Sequence, residues 1–208
     1  MIFDCSQCQV EDARITEDLQ TKVKKPSFNY ETSKEIGNIL LEREKWTAER
    51  WEKESIQLLE RNKIGRYNIV ATSNYAHLNF TLNWIASLTL NDFDKFLVFC
   101  FDFELYQSLV RYGFMNNAVV APLHWTEVQI KPTEQVWMKD QYNALTKAKL
   151  LIQNELLKRN YWILFSDVDL VFLSPSVLRH CKFLIGDYCD PVRAPTQCKF
   201  NSFRSCRL

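Results

Sequence analysis

No apolar run in this sequence approaches the roughly 18 residues that a membrane-crossing helix needs, so no spanning segment is expected. Excess charge is missing too. Lys and Arg number 26 against 25 Asp and Glu, a formal net charge of +1, whereas nucleic-acid-binding domains usually carry a clear basic excess. The amino end, Met1-Ile2-Phe3-Asp4-Cys5-Ser6, lacks the basic and apolar regions of a secretory signal. No second CxxC follows Cys5-Ser6-Gln7-Cys8, and His77, His124 and His180 stand far apart, so a zinc site has no second half. The chain reads as water-soluble.

What is present is apolar and aromatic. At 47% hydrophobic and 13% aromatic residues, disorder is excluded over most of the chain. A length of 208 residues suits one domain with an extension, or one domain cut short. Cys181, Cys189, Cys198 and Cys206 crowd the carboxyl end, equally compatible with disulfides and with free thiols in a poorly ordered tail. Asn79-Phe80-Thr81 is a glycosylation sequon inside a helical pattern, expected to be unmodified.

The organisation divides into four stretches. Residues 1–30 are polar and aperiodic. Residues 31–64 form a helical lead-in, in which a capping box at Thr32-Ser33-Lys34-Glu35 opens one helix running through Ile36, Leu40, Trp51 and Leu58. Its dense mixed charges read as a solvated face. Residues 65–180 alternate strand and helix, and 181–208 are a divergent cysteine-containing tail. The strands are expected at Tyr67–Ala71, Phe96–Phe101, Ala118–Ala121 and Tyr161–Phe165. Helical patterns lie between them, the longest from about residue 139 to 160 with Tyr142, Leu145, Ala148, Ile152 and Leu156 on one stripe. Apolar strands alternating with helices predict an α/β fold: a largely parallel sheet with helices on both faces. In such sheets ligands bind outside the carboxyl ends of the strands. Three of those ends are polar here: Thr72 to Tyr75, Asp102, and Asp167 with Asp169.

Asp167 and Asp169 carry the chemistry. In an extended segment residues two apart share a face, so the two carboxylates emerge together while Val168 points away. Two carboxylates so close repel unless a cation lies between them or one takes a proton. Hard oxygen ligands of this kind suit Mg2+ or Mn2+, which would leave coordination positions for phosphate oxygens.

These blocks resemble the nucleotide-diphospho-sugar transferases of the GT-A fold, rhamnogalacturonan xylosyltransferase type. The similarity spans about residues 67–178. It is carried by Ile69-Val70-Ala71-Thr72-Ser73-Asn74-Tyr75-Ala76-His77-Leu78 on to Trp84, by Leu97 to Asp102, by Lys149, and by Ile163-Leu164-Phe165-Ser166-Asp167-Val168-Asp169-Leu170-Val171-Phe172-Leu173. The resemblance implies a Rossmann-like GT-A sheet and a metal-dependent, retaining hexosyl or pentosyl transfer from a nucleotide-diphosphate sugar, usually a UDP-sugar. It implies Mn2+ (or Mg2+) bridging Asp169 and the diphosphate, with Asp167 on the donor ribose or a metal-bound water. Thr72, Ser73, Asn74 and Tyr75 would line the base and ribose pocket with Asp102 nearby. Lys149 would reach a phosphate, and Ser166 and Val168 would belong to the same donor-contacting segment. The acceptor would be a glycan or glycoprotein, and the compartment the Golgi lumen or secretory pathway.

Few residues follow Asp169 before Leu208, so the domain is expected to be incomplete at its carboxyl end, with no catalytic base or nucleophile to assign. A non-catalytic nucleotide-sugar-binding remnant is the alternative. A phosphatase of the haloacid dehalogenase type also uses DxD after an apolar strand, but there the motif follows the first core strand, whereas three strand-like runs precede it here.

Overall fold

The computed structural model describes residues 30–127, 130, 132–133 and 140–174. The CxxC pair, the four carboxyl-terminal cysteines and His180 lie outside the described residues, as do the side chains of Thr32 and Ser33 in the capping box.

The lead-in is two helices rather than the expected one: α1, Tyr30–Arg43, and α2, Ala48–Arg61. Thr47 makes the break. Its backbone is extended and its hydroxyl oxygen accepts a hydrogen bond from the Arg50 N–H at 3.4 Å, the arrangement of an N-cap. The Trp46 ring fills the corner, with the Arg43 and Arg50 guanidiniums 4.7 and 4.4 Å from its centroid. Beyond the break, Trp51, Ser55, Leu58 and Leu59 form the buried stripe of α2.

The chain then alternates strand and helix. Strand β1 is Tyr67–Ser73, followed by a 3-10 turn, Tyr75–His77, and helix α3, Leu78–Leu90. Next come β2 (Leu97–Cys100), α4 (Phe103–Arg111) and β3 (Ala118–Val120). A single helical turn not foreseen in the sequence, α5 (Leu123–Thr126), precedes α6 (Asp140–Lys158) and β4 (Trp162–Phe165). Asn160 takes a left-handed conformation (φ 63°) that ends the helical path and turns the chain into β4.

All four strands are parallel, in the order β3-β2-β1-β4. Every residue of β1 and β2 is buried, as parallel strands covered on both faces must be. The register pairs Thr72 with Phe99 and Ser73 with Cys100, so these two rows face opposite sides of the sheet. On one side Ser73 meets Thr81 of α3; on the other Phe99 meets Trp125 of α5, ring centroids 6.0 Å apart. Leu145, Ala148, Ile152 and Leu156 form the buried stripe of α6 expected from the sequence. Fully burying each such leucine or isoleucine contributes about 1.5–3 kcal/mol. Helix α2 packs against β3, and Asn62, which caps α2, donates from its side-chain amide to the Asn116 carbonyl just ahead of β3 at 2.7 Å. No helix among the described residues is long and apolar enough to cross a membrane.

Candidate functional site

Strand order decides where a crevice opens. From β1 the chain steps to β2 and β3 in one direction, then returns across the sheet to place β4 on the other side of β1. The direction reverses between β1 and β4, and at such a switch point the two connecting segments diverge and leave a crevice at the carboxyl ends. The loop after β1 carries Asn74 and Tyr75; the loop after β4 carries Asp167 and Asp169. The residues singled out by their types are thus brought to adjacent strand ends.

On the β1 side, Thr72, Ser73 and Asn74 are buried and Tyr75 is 44% exposed. Ser73 accepts a hydrogen bond from the Thr81 hydroxyl at 2.8 Å. The Asn74 side chain is held twice, its oxygen 2.6 Å from His77 Nδ1 and its amide donating to the Thr133 carbonyl at 3.2 Å. The Thr72 hydroxyl is buried without a hydrogen-bond partner. Tyr75 is therefore the member of this quartet whose ring faces outward.

Asp102 stands behind Tyr75. One carboxylate oxygen accepts from the Tyr75 N–H and the other from the Leu105 N–H, each at 2.8 Å, so it caps α4 and ties the β1 loop to β2. Burial raises its carboxyl above the ordinary range, against the pull of these two amides.

On the β4 side the backbone departs from the extended form expected. Strand β4 ends at Phe165 and a turn occupies Val168–Asp169, yet the alternation survives: Asp167 and Asp169 are exposed and Val168 is buried. The apolar side chain acts as a plug that leaves both carboxylates at the rim. Ser166 is buried, its N–H bonded to the Val70 carbonyl and its hydroxyl to the Asp167 carbonyl, both at 3.0 Å. Lys149, from α6, reaches Asp167 at 2.6 Å. Asp169 makes no hydrogen bond or ion pair with the described residues.

Three residues that sequence reasoning passed over shape this site. Trp84 of α3 donates its indole N–H to Ser166 Oγ at 3.0 Å. Asn91, which ends α3, donates to the Phe172 carbonyl at 2.7 Å. His77 anchors Asn74. Trp84 and His77 lay within the resembling block but look like ordinary helix residues in sequence; Trp84 and Asn91 gain their roles from pairing with residues about eighty positions away, and His77 from a local bond to Asn74.

No group of three or more His, Cys, Asp or Glu side chains gathers among the described residues. Two hard carboxylate oxygen donors at an open rim, one of them without a partner among the described residues, fit a cation that takes its remaining ligands from water and phosphate oxygens, as Mg2+ and Mn2+ do. A cleft of about 310 Å3 lined by Lys63, Arg66, Tyr161 and Trp162 lies at the opposite pole, at the amino ends of β1 and β4.

Comparison with known proteins gives a match over part of the chain. Residues 91–183 match the model of the family described as nucleotide-diphospho-sugar transferase. The matched segment runs from the end of α3 through β2, α4, β3, α6 and β4 and includes Asp102, Lys149, Asp167 and Asp169; β1 and its loop precede it. Neither the curated proteins nor the solved structures gave a match.

Proposed function

We propose, taking the nucleotide-diphospho-sugar transferase match over residues 91–183 as premise, that this chain binds the donor of a metal-dependent glycosyl transfer. The observation that carries the reading is the pair of exposed carboxylates, Asp167 and Asp169, at the end of β4 beside the exit of β1. Asp169 and Asp167 would hold Mn2+ or Mg2+, which supplies charge neutralisation to a diphosphate as it leaves. Lys149 is placed to exchange its partner from Asp167 to a donor phosphate, because its stem already spans from α6 to the rim. The outward Tyr75 ring offers a stacking face to a base, backed by the buried wall of Thr72, Ser73 and Asn74.

The finer assignment is what the family resemblance implies: a UDP-sugar donor, retention of configuration, a glycan or glycoprotein acceptor, and a Golgi or secretory compartment. The resemblance to the rhamnogalacturonan xylosyltransferase type supports each of these. Because no described residue supplies a base or nucleophile beside the carboxylates, donor binding without turnover is the second reading.

The test is calorimetric titration of UDP with and without Mn2+, beside Asp169→Ala. Binding that needs Mn2+ and disappears in the variant is the expected result, followed by a donor-hydrolysis assay to separate an enzyme from a binder. No binding by the folded wild-type chain would overturn the donor-site reading.

A further inference from the structure

Helix α3 touches the carboxylate segment at both of its ends. Ahead of Asp167, the Trp84 indole N–H donates to Ser166 Oγ at 3.0 Å, and both residues are buried. That hydroxyl donates in turn to the Asp167 carbonyl at 3.0 Å, while the Ser166 N–H holds the Val70 carbonyl of β1. After Asp169, the Asn91 amide donates to the Phe172 carbonyl at 2.7 Å and also to the Ser87 carbonyl, 2.7 Å away within α3. Val168 and Phe172 are buried between, whereas Leu170 and Val171 are exposed. The Trp84 ring is itself fixed, edge to face with Phe96 at 5.5 Å.

The segment from Asp167 to Val171 has no strand or helix bonds of its own to hold it. Its direction is therefore set by what holds it from outside: the Ser166 bond to β1 and the Lys149 ion pair from α6, and, on either side of the two carboxylates, the bonds from Trp84 and Asn91 of the α3 stretch. The same helix begins directly after the Tyr75–His77 turn.

We infer that Trp84 and Asn91 are positioning residues that fix the Asp167–Val171 segment and so aim the Asp167 and Asp169 carboxylates. The inference rests on the donor-site reading for its purpose, though not for the bracing itself. Neither residue touches the ligand; each acts through a neighbour. Loss of such a supporting hydrogen bond costs on the order of tenfold in metal affinity where the ligands it orients are first to the metal.

The variants are Trp84→Phe, which removes the N–H and keeps a ring, Ser166→Ala, their double variant, and Asn91→Ala. Two readouts are taken on the full chain. Amide hydrogen exchange without metal is expected to speed up over residues 167–171 in each variant while the sheet stays protected. Binding of Mn2+ with UDP, followed by the Mn2+ magnetic resonance signal, is expected to weaken on the order of tenfold. The Trp84→Phe/Ser166→Ala double variant should be no weaker than either single one, since the indole acts through that hydroxyl. Unchanged exchange over 167–171 overturns the bracing. Normal Mn2+–UDP affinity in variants with faster local exchange overturns the positioning role. A wild-type chain that binds no Mn2+–UDP sinks the donor-site reading, and the exchange data then decide the bracing alone.

Discussion

Lys149 and Asp167 are joined by a 2.6 Å ion pair that crosses from α6 to the segment following β4. The lysine side chain is 29% exposed and the aspartate 51%, so the pair lies at the solvent boundary, where such contacts are worth less than about 1 kcal/mol. A contact that weak is easily exchanged. On the proposed donor-site reading, a divalent cation and a diphosphate arriving together would take Asp167 and Lys149 respectively, and the pair would hold each group in place until then.

Replacing Lys149 by Met tests that exchange. Freed of its cation, Asp167 should bind Mn2+ alone a little more tightly, by up to about fivefold, since the pair it loses is worth at most about 1 kcal/mol. UDP affinity at saturating Mn2+ should fall, because the phosphate loses a positive partner. Calorimetry of the two titrations checks the opposed signs; affinities that fall together would show that the pair only holds the loop.

Asp102 makes a prediction about stability. Asp102→Ala removes the α4 cap and leaves the buried Leu105 N–H and the half-buried Tyr75 N–H without their acceptor. The cost should be about 1–3 kcal/mol, read from the urea midpoint. Asp102→Asn should lie between, because an amide has one oxygen for two N–H groups and keeps the cap at the expense of the Tyr75 tie.

How much of this was legible depended on whether the signal was local. The parallel sheet showed because Phe96 to Phe101 and Tyr161 to Phe165 are apolar on successive positions, which only a strand covered on both faces requires. The carboxylate pair showed because its spacing is two residues. The α1–α2 break was missed although Thr47-Ala48-Glu49 carries an N-cap signature, because the helical charge pattern runs unbroken across it. Trp84 to Ser166 and Asn91 to Phe172 were invisible: their partners are about eighty residues away, and nothing in a helix stripe says which side chain will cross to another loop.

Acid should loosen the seam between α2, α5 and α6. Burial disfavours the charged form of Glu52, but hydrogen bonds from Arg159 and His124 outweigh it and its pKa is lowered. Glu155 is lowered by Lys158 and Arg159. A carboxylate with a lowered folded pKa stabilises the fold above its unfolded value, about 4.3 for glutamate, and that stability is lost as pH falls below it. As pH falls from about 5 to about 3, through and below the ordinary glutamate pKa of about 4.3, melting temperatures of the wild type should therefore drop by more than those of Glu52→Gln. Parallel curves for the two proteins would remove the seam as a source of acid sensitivity.

Thr72 and Ser73, adjacent in β1, should respond oppositely to losing their hydroxyls. Ser73 faces α3 and its hydroxyl receives a hydrogen bond from Thr81; Ser73→Ala removes that acceptor and should cost about 1 kcal/mol. Thr72 faces the other side of the sheet, in register with Phe99, and its hydroxyl is buried with no hydrogen-bond partner. Thr72→Val keeps the shape and removes a desolvated polar atom, so it should stabilise the protein by about 1 kcal/mol. Urea denaturation with an unchanged slope measures both shifts. UDP affinity should survive in Thr72→Val, because a 1%-exposed side chain forms the wall behind Tyr75 rather than the surface a nucleotide meets. A loss of both stability and UDP affinity in that variant would mean that the hydroxyl has a partner in solution, and that the β1 loop opens far enough to share it with the nucleotide.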